Sequence, residues 1–356
     1  MTAFPAAQAF CARFGMSLPL IQAPMAGVST PALAAAVSSA GGLGSLGLGA
    51  SDVASARSMI MALRSQTNRA FNVNLFCHRP PVKDSAREAR WIDRLRPTFS
   101  EFGASPPAQL TEIYKSFVND DAMLSMLISE RPAIVSFHFG LPDADRIAAL
   151  RLAGIQMFAS ATTLEEARQV EAAGIDAVVA QGYEAGGHRG VFDPALPDAR
   201  LSTLPLTRML SSHLSIPVIS AGGLMDGKDI AAVLHRGASA AQLGTAFILC
   251  PESSADPAYR ERLSAAGAQT DMTIVVSGRP ARSLVSRFTA LGHSVPVEDM
   301  PAYPIAYDAG KALHAAAKAK GEFGYGAYWA GQGAPFARAL PAGEMVRVLA
   351  REAGLA

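Results

Sequence analysis

Eight short β-like runs recur along the chain, and most of them are followed by a pattern typical of an α-helix. The runs lie at residues 20–23, 42–46, 71–75, 133–137, 155–159, 177–180, 217–220 and 240–243. Strands that alternate with helices in this way form parallel sheets, because each helix carries the chain back to the start of the next strand. Eight such units favour a TIM (β/α)8 barrel over an open doubly wound sheet. We therefore expect an α/β protein built on a barrel.

Two stretches are too long for simple barrel loops. Helical patterns at 85–95 and 110–129 lie between the third and fourth runs, and residues 251–335 follow the eighth. We expect 251–335 to be an appended, mainly helical region that covers a substrate site. Residues 1–250 and 336–356 would then form the barrel, which closes with an amphipathic helix around 341–353. A chain of 356 residues is long enough for one such domain.

The composition excludes several classes of function. The formal net charge is +1, so no basic surface for nucleic acid is indicated. No apolar run approaches the roughly 18 residues of a membrane-spanning helix, and no signal-peptide pattern is present. Cys11, Cys77 and Cys250 lie far apart, which argues against disulfides and metal sites. We expect a cytoplasmic protein without a metal, and the sequence leaves open whether it is a monomer or a dimer.

One glycine pattern resembles a dinucleotide-binding motif but has the wrong context. Residues 42–47 match G-x-G-x-x-G, yet a helix, and not a strand, is predicted before them. We interpret them as a tight turn that leads into the second barrel strand.

The most informative loop is 181–190, which follows the sixth predicted strand. It presents Gln181, Glu184, His188 and Arg189 among four glycines. Glycine lets the backbone approach a ligand closely, and histidine can exchange protons near neutral pH. A mobile surface loop with an incidental histidine is the alternative. At first sight Glu184 and Arg189 look catalytic as well.

The ends of other predicted strands point toward the same face of the barrel. Glycine-rich turns follow the seventh and eighth strands, at 220–223 and 244–245, where TIM barrels often bind phosphate. The carboxamides of Asn74 and Gln181 suit the pyrimidine edge of a flavin. Met25 fits either against a flat ring or in the core. His138, between two phenylalanines, is either a pocket residue or a packed core histidine.

In the appended region Tyr303, Tyr307 and Lys311 are spaced four residues apart. On a helix this spacing places them on one face, where two phenols and a cation could cover a small anion. An amphipathic surface stripe is the alternative interpretation.

Motifs along nearly the whole chain resemble those of the nitronate monooxygenases, which are FMN-dependent TIM-barrel enzymes. They are the segments 23–27, 71–76, 136–140, 181–190, 220–223 and 242–245, joined by 303–311 and 328–333, which resemble the class I branch. The loop 181–190 is also similar to loops of flavin-dependent enoyl reductases and NADH:quinone reductases.

The resemblance implies an FMN site, a catalytic residue and a substrate pocket. Its implied FMN contacts are Ala23, Pro24, Met25, Asn74, Gln181, Gly186, Gly187, Gly222, Gly223, Gln242, Leu243, Gly244 and Thr245. It implies that His188 is the catalytic histidine. His138, Tyr303, Tyr307 and Lys311 would line the substrate pocket. With the flavin carrying the redox step, Glu184 and Arg189 would serve to shape the loop.

The implied reaction is the oxidation of an alkyl nitronate, for example propionate 3-nitronate, by dioxygen to a carbonyl compound and nitrite, a detoxification. A protonated His188 would attract the anion, whereas a neutral His188 would remove the α-proton of a nitroalkane, and the sequence leaves both roles open. One alternative is an NADH-dependent FMN reductase for a quinone or an enoyl thioester. The other is a non-catalytic barrel that binds a phosphorylated metabolite.

Overall fold

The predicted strands form a ring in the computed structural model, which describes residues 4–355. The eight barrel strands are β1 Leu20–Gln22, β2 Gly44–Gly47, β3 Phe71–Phe76, β4 Ile134–His138, β5 Gln156–Ala161, β6 Ala177–Gln181, β8 Val218–Ala221 and β9 Ala240–Leu243. All neighbouring strands pair in parallel, and a bridge between Ile21 and Leu43 joins β1 to the start of β2. The prediction of a TIM barrel is confirmed. Of the glycines at 42–47, Gly42 lies in the turn after α2, and Gly44 and Gly47 lie in β2, so the segment is a helix-to-strand turn and a barrel strand as predicted.

Helices surround the ring. They are α1 Pro5–Phe14, α2 Pro31–Ser39, α3 Val53–Arg64, α4 Ser85–Glu101, α5 Asp121–Glu130, α6 Ala144–Leu152, α7 Leu164–Ala172, α8 Thr203–His213, α9 Gly227–His235, α10 Pro257–Ser264, α11 Arg287–Gly292, α12 Ile305–Lys318 and α13 Ala342–Glu352. The helix predicted at 110–129 is shorter than expected, since only α5 and a 3-10 turn form there. Among residues 4–355, no helix combines the length and the apolar character needed to span a bilayer.

Helix α1 closes the barrel at the amino ends of the strands. Phe10 and Phe14 are buried, and their rings lie 6.0 and 4.9 Å from the ring of Phe158 on β5. They belong to one apolar cluster with barrel residues such as Ile21 and Ile219. Burial of aromatic rings is a large hydrophobic contribution, so this end of the barrel is a packed core. Any ligand site is therefore left to the opposite end.

The region between β9 and α13 contains a small sheet that the sequence did not predict. Strand β10 (Thr270–Thr273) pairs antiparallel with β11 (Ala281–Leu284), and β11 pairs with β7, the two residues Gly187–His188. Helix α12 packs on α4 through an apolar cluster that includes Trp91 and Leu313. The appended region is thus attached to the barrel through the loop that carries His188.

Candidate active site

A cavity of about 650 Å³ lies at the carboxyl ends of the barrel strands. This volume is within the range of sites that hold cofactors and small molecules. All the site residues predicted from the sequence line it: Ala23, Pro24, Met25, Asn74, His138, Gln181, Gly186, Gly187, His188, Gly222, Gly223, Gln242, Leu243, Gly244, Thr245, Tyr303, Tyr307 and Lys311. The structure therefore brings together residues from seven parts of the chain around one space.

The turns after β8 and β9 present free backbone donors to the cavity. Among the described residues, the N–H groups of Gly223 and Gly244 donate no hydrogen bond. Gly222 has a φ of 125°, and a Cβ there would lie 2.8 Å from Oγ1 of Thr203, so a side chain is excluded. Unpaired N–H groups beside a cavity favour an anion, because buried donors need an acceptor.

The carboxamides of Asn74 and Gln181 have different surroundings. Nδ2 of Asn74 donates to Oγ and O of Ser136, and in the part of the chain described here Oδ1 makes no hydrogen bond. Gln181 uses both of its polar atoms inside its own loop: Nε2 donates to the His188 carbonyl at 3.0 Å, and Oε1 accepts from the Gly190 N–H at 2.7 Å. Asn74 thus offers a free acceptor, whereas Gln181 shapes the loop.

Glu184 and Arg189 also shape the loop, as the sequence interpretation held. The Glu184 carboxylate accepts hydrogen bonds from N and Oγ1 of Thr203 at the start of α8. Arg189 is buried, forms an ion pair with Asp198 and donates to the Gln181 carbonyl. Neither side chain is among the cavity-lining residues.

His138 holds the His188 backbone. Its Nε2 lies 3.1 Å from the His188 carbonyl oxygen, which can only accept, so Nε2 carries the proton. Its Nδ1 then accepts from the Ser160 hydroxyl at 2.9 Å. His138 lines the cavity, yet both of its ring nitrogens are occupied by protein partners.

The His188 ring lies among aromatic side chains. Ring centroids of Trp329, Tyr303 and Phe139 lie 4.9, 5.3 and 5.6 Å from its own. Its Nε2 lies 2.9 Å from Oγ of Ser277. The contacts hold the imidazole in one position at the cavity wall.

Burial keeps these histidines neutral. Desolvation lowers the pKa of His188 well below its usual value, and the nearby positive charge of Arg279 acts in the same direction. The pKa of His138 is lowered to about 4, again chiefly by burial. At neutral pH His188 is therefore an uncharged imidazole.

Lys311 is a cation that lines the cavity. Its Nζ lies 4.7 Å from the ring centroid of Tyr114 and 5.5 Å from that of Tyr307, and it forms no ion pair among residues 4–355. Burial lowers the pKa of its ammonium group. Tyr303 precedes α12, so the three residues do not share one helix as expected, although all three line the cavity.

Among the residues of this site that sequence reasoning missed are Tyr114, Ser277 and Trp329. Tyr114 and Trp329 line the cavity, and Ser277 contacts His188 from outside it. The motif 328–333 contained Trp329, but no residue role was assigned to it. A single serine or tyrosine far from the other site residues carries no signal in one sequence.

Comparisons with known proteins give a consistent result. A family model described as nitronate monooxygenase matches residues 8–352. The chain is 60% identical to a nitronate monooxygenase of Paraburkholderia phytofirmans, over 95% of this chain and 93% of the relative. It is 56% identical to a nitronate monooxygenase of Pseudomonas aeruginosa, over 96% and 98%. A nitroalkane oxidase from Streptomyces ansochromogenes has a similar solved structure, with a TM-score of 0.88, 41% identity and coverage of 97% of this chain and 98% of that one.

Proposed function

The chain belongs to the nitronate monooxygenase family, and on that premise we propose that it oxidises alkyl nitronates with dioxygen to a carbonyl compound and nitrite, using FMN. It is an oxidoreductase, and enzymes of this family depend on a flavin. The observation that carries the proposal is one cavity where loop amides and a lysine, neither with a polar partner among residues 4–355, meet a neutral histidine.

The residues present fit FMN. The amides of Gly223 and Gly244 suit its phosphate, and the free Oδ1 of Asn74 suits an N–H group of the isoalloxazine ring. Met25 lines the same cavity and offers an apolar surface for the ring. Because the Gln181 carboxamide is occupied by the loop, we assign it chiefly to the position of that loop.

When bound, FMN supplies the electron transfer that links the nitronate to dioxygen. The chain's own residues bind and orient the substrate. Lys311 matches the negative charge of a nitronate, and the surrounding aromatic side chains restrict water. Neutral His188 accepts the α-proton when the substrate arrives as a nitroalkane, whereas a nitronate needs no base.

The cysteines are consistent with a cytoplasmic enzyme. All three are buried and free, and burial raises the pKa of each thiol. We propose the cytoplasm, where thiols stay reduced, as its compartment.

The test is nitrite release and oxygen uptake by the purified yellow protein with propionate 3-nitronate, beside a parallel sample with NADH alone. We expect both signals with the nitronate and neither with NADH. Flavin reduction by NADH without nitrite from the nitronate would instead identify an NADH-dependent reductase.

A variant tests the assignment of His188 to the substrate. His188→Asn should keep the FMN absorbance, because its side chain is assigned to the substrate and not to the flavin. It should lose most turnover of a nitronate, which His188 would contact from the cavity wall, and of a nitroalkane, whose α-proton it would accept. Turnover close to that of the unchanged protein would remove His188 from the mechanism.

A further inference from the structure

A buried hydroxyl lies between His188 and a backbone carbonyl. Oγ of Ser277 lies 2.9 Å from Nε2 of His188 and 3.3 Å from the carbonyl oxygen of Arg279. On the basis of the function proposed above, we propose that Ser277 is a positioning residue. It holds His188 as the tautomer with the proton on Nε2, so that Nδ1 is the proton acceptor of the active site.

The direction of the two hydrogen bonds follows from the partners. A carbonyl oxygen only accepts, and a serine hydroxyl has one hydrogen to donate. Among the described residues, the Arg279 carbonyl receives no other hydrogen bond, and both Ser277 and Arg279 are buried. Since an unsatisfied buried acceptor is costly, the Ser277 hydrogen goes to Arg279. Its oxygen can then only accept from His188, which requires hydrogen on Nε2.

The second ring nitrogen is free to react. Nδ1 of His188 has no hydrogen-bond partner within residues 4–355, and it is not among the polar atoms there that are buried without a partner. It is therefore accessible from the cavity that His188 lines. An unprotonated Nδ1 at this position can take a proton from a substrate or accept a hydrogen bond from it.

The ring is fixed from its backbone as well. The backbone of His188 pairs with Ala281 on β11. Its carbonyl oxygen accepts hydrogen bonds from the side chains of Gln181 and His138. Ser277 lies in the segment that joins β10 to β11, so the same small sheet sets both the backbone and the ring of His188. The hydroxyl alone, however, selects which nitrogen carries the proton.

The guanidinium of Arg279 favours the uncharged ring. It is buried and lies 4.2 Å from the ring centroid of Phe139, whose edge contacts His188. His78, His138, Tyr303 and Tyr307 also face His188 or lie close by, and none of them brings a negative charge at neutral pH. The ring is then neutral, and its tautomer decides which atom is basic.

The direct test is ¹⁵N NMR of FMN-loaded protein labelled at histidine, with the His188→Asn variant to assign the signals. We expect a protonated Nε2 and an unprotonated Nδ1 for His188. The opposite tautomer in the unchanged protein would overturn the inference, even if nitrite is produced normally. If the protein shows the expected tautomer but produces no nitrite, the proposed function is contradicted and the inference about Ser277 stands.

Variants separate positioning from packing. Ser277→Ala should keep FMN, lose the single-tautomer pattern and lower kcat for a neutral nitroalkane, whose α-proton His188 accepts, roughly tenfold to a hundredfold, as expected when the group that orients a histidine is removed. Ser277→Thr keeps the hydroxyl and should restore the pattern and most of kcat.

Ser38→Ala is the matched control. Ser38 is equally buried, and its hydroxyl donates to a backbone carbonyl, Ala70 O, away from the cavity. It should leave the His188 signals and kcat unchanged. If Ser277→Ala also leaves both unchanged, Ser277 has no positioning role.

Discussion

Three histidines near the cavity show how surroundings decide the charge of a side chain. His78 is buried, and neither ring nitrogen has a partner among the described residues. Its pKa is lowered to about 4 by burial and by the charge of Arg279. His138 and His188 are shifted in the same direction for the same chief reason. Protonating any of them would place a second positive charge beside a buried arginine.

This predicts a loss of stability in mild acid. In the unfolded chain these histidines titrate near 6.5, so between pH 6.5 and the lowered folded values the unfolded state binds more protons. The contribution of these histidines to the free energy of unfolding is therefore fully present above about pH 7 and is lost as the pH is lowered. For His78 alone we expect a loss of about 2 kcal/mol between pH 7.5 and 5. Urea unfolding at several pH values measures it.

His78→Phe is the matched variant, because it keeps an aromatic ring next to Tyr303 and cannot titrate. Its unfolding free energy should fall less over the same pH range. If the unfolding free energy depends equally on pH in the two proteins, His78 does not cause the loss of stability in acid.

The residues of the site differ in how far one sequence predicts them. His188, Asn74 and the glycines were found because they follow strand patterns in known loop positions. The hydrogen bonds of Gln181 were not foreseen, because its carboxamide bonds to atoms of the loop whose conformation it sets. Ser277 was missed because it lies 89 residues from His188 in the chain, and only the fold brings them together.

At the scale of elements, the segment 328–333 forms a strap over the loop that carries His188. The N–H of Gln332 donates to the Glu184 carbonyl, and the N–H of Gly331 donates to Oγ1 of Thr245. Gly186 lies directly under the strap: an added Cβ would be 2.5 Å from the carbonyl carbon of Ala330. The strap thus joins the turns after β6 and β9.

Gly186→Ala should therefore separate the strap from the loop. We expect a stability loss of about 1–3 kcal/mol, as for overpacked sites, and weaker retention of FMN on dilution. Gly343→Ala in α13 is the control, since its Cβ would come no closer than 3.6 Å to any atom outside its neighbours. Equal unfolding free energies and equal FMN retention in the two variants would show that the contact between Gly186 and the strap does not matter.

For the whole molecule, periodicity predicted the barrel but not its small antiparallel sheet. The barrel strands are apolar runs with helices between them, and each was placed within two residues of its observed start. Strand β7 has only two residues, Gly187–His188, which is too short to show a period. Strands β10 and β11 contain polar residues such as Asp271 and Arg282, so the region was expected to be mainly helical.

The cofactor proposal predicts a stability effect on the whole protein. FMN added to flavin-free protein at 100 times its Kd should raise the unfolding free energy by about 2.7 kcal/mol. Riboflavin, which lacks the phosphate, should stabilise it much less, because the Gly223 and Gly244 amides would keep no partner. Thermal melts with each ligand measure the difference, and equal shifts would place the phosphate elsewhere.

The pairing of β7 with β11 determines what an engineer can exchange between relatives. The loop 182–190 and the segment 270–333 lie far apart in the chain, yet the hydrogen bonds between them hold His188. If the appended region alone were replaced to change substrate preference, His188 would contact residues from a relative instead of its own β11 and Ser277. The smallest transplantable unit is therefore discontinuous and includes both segments.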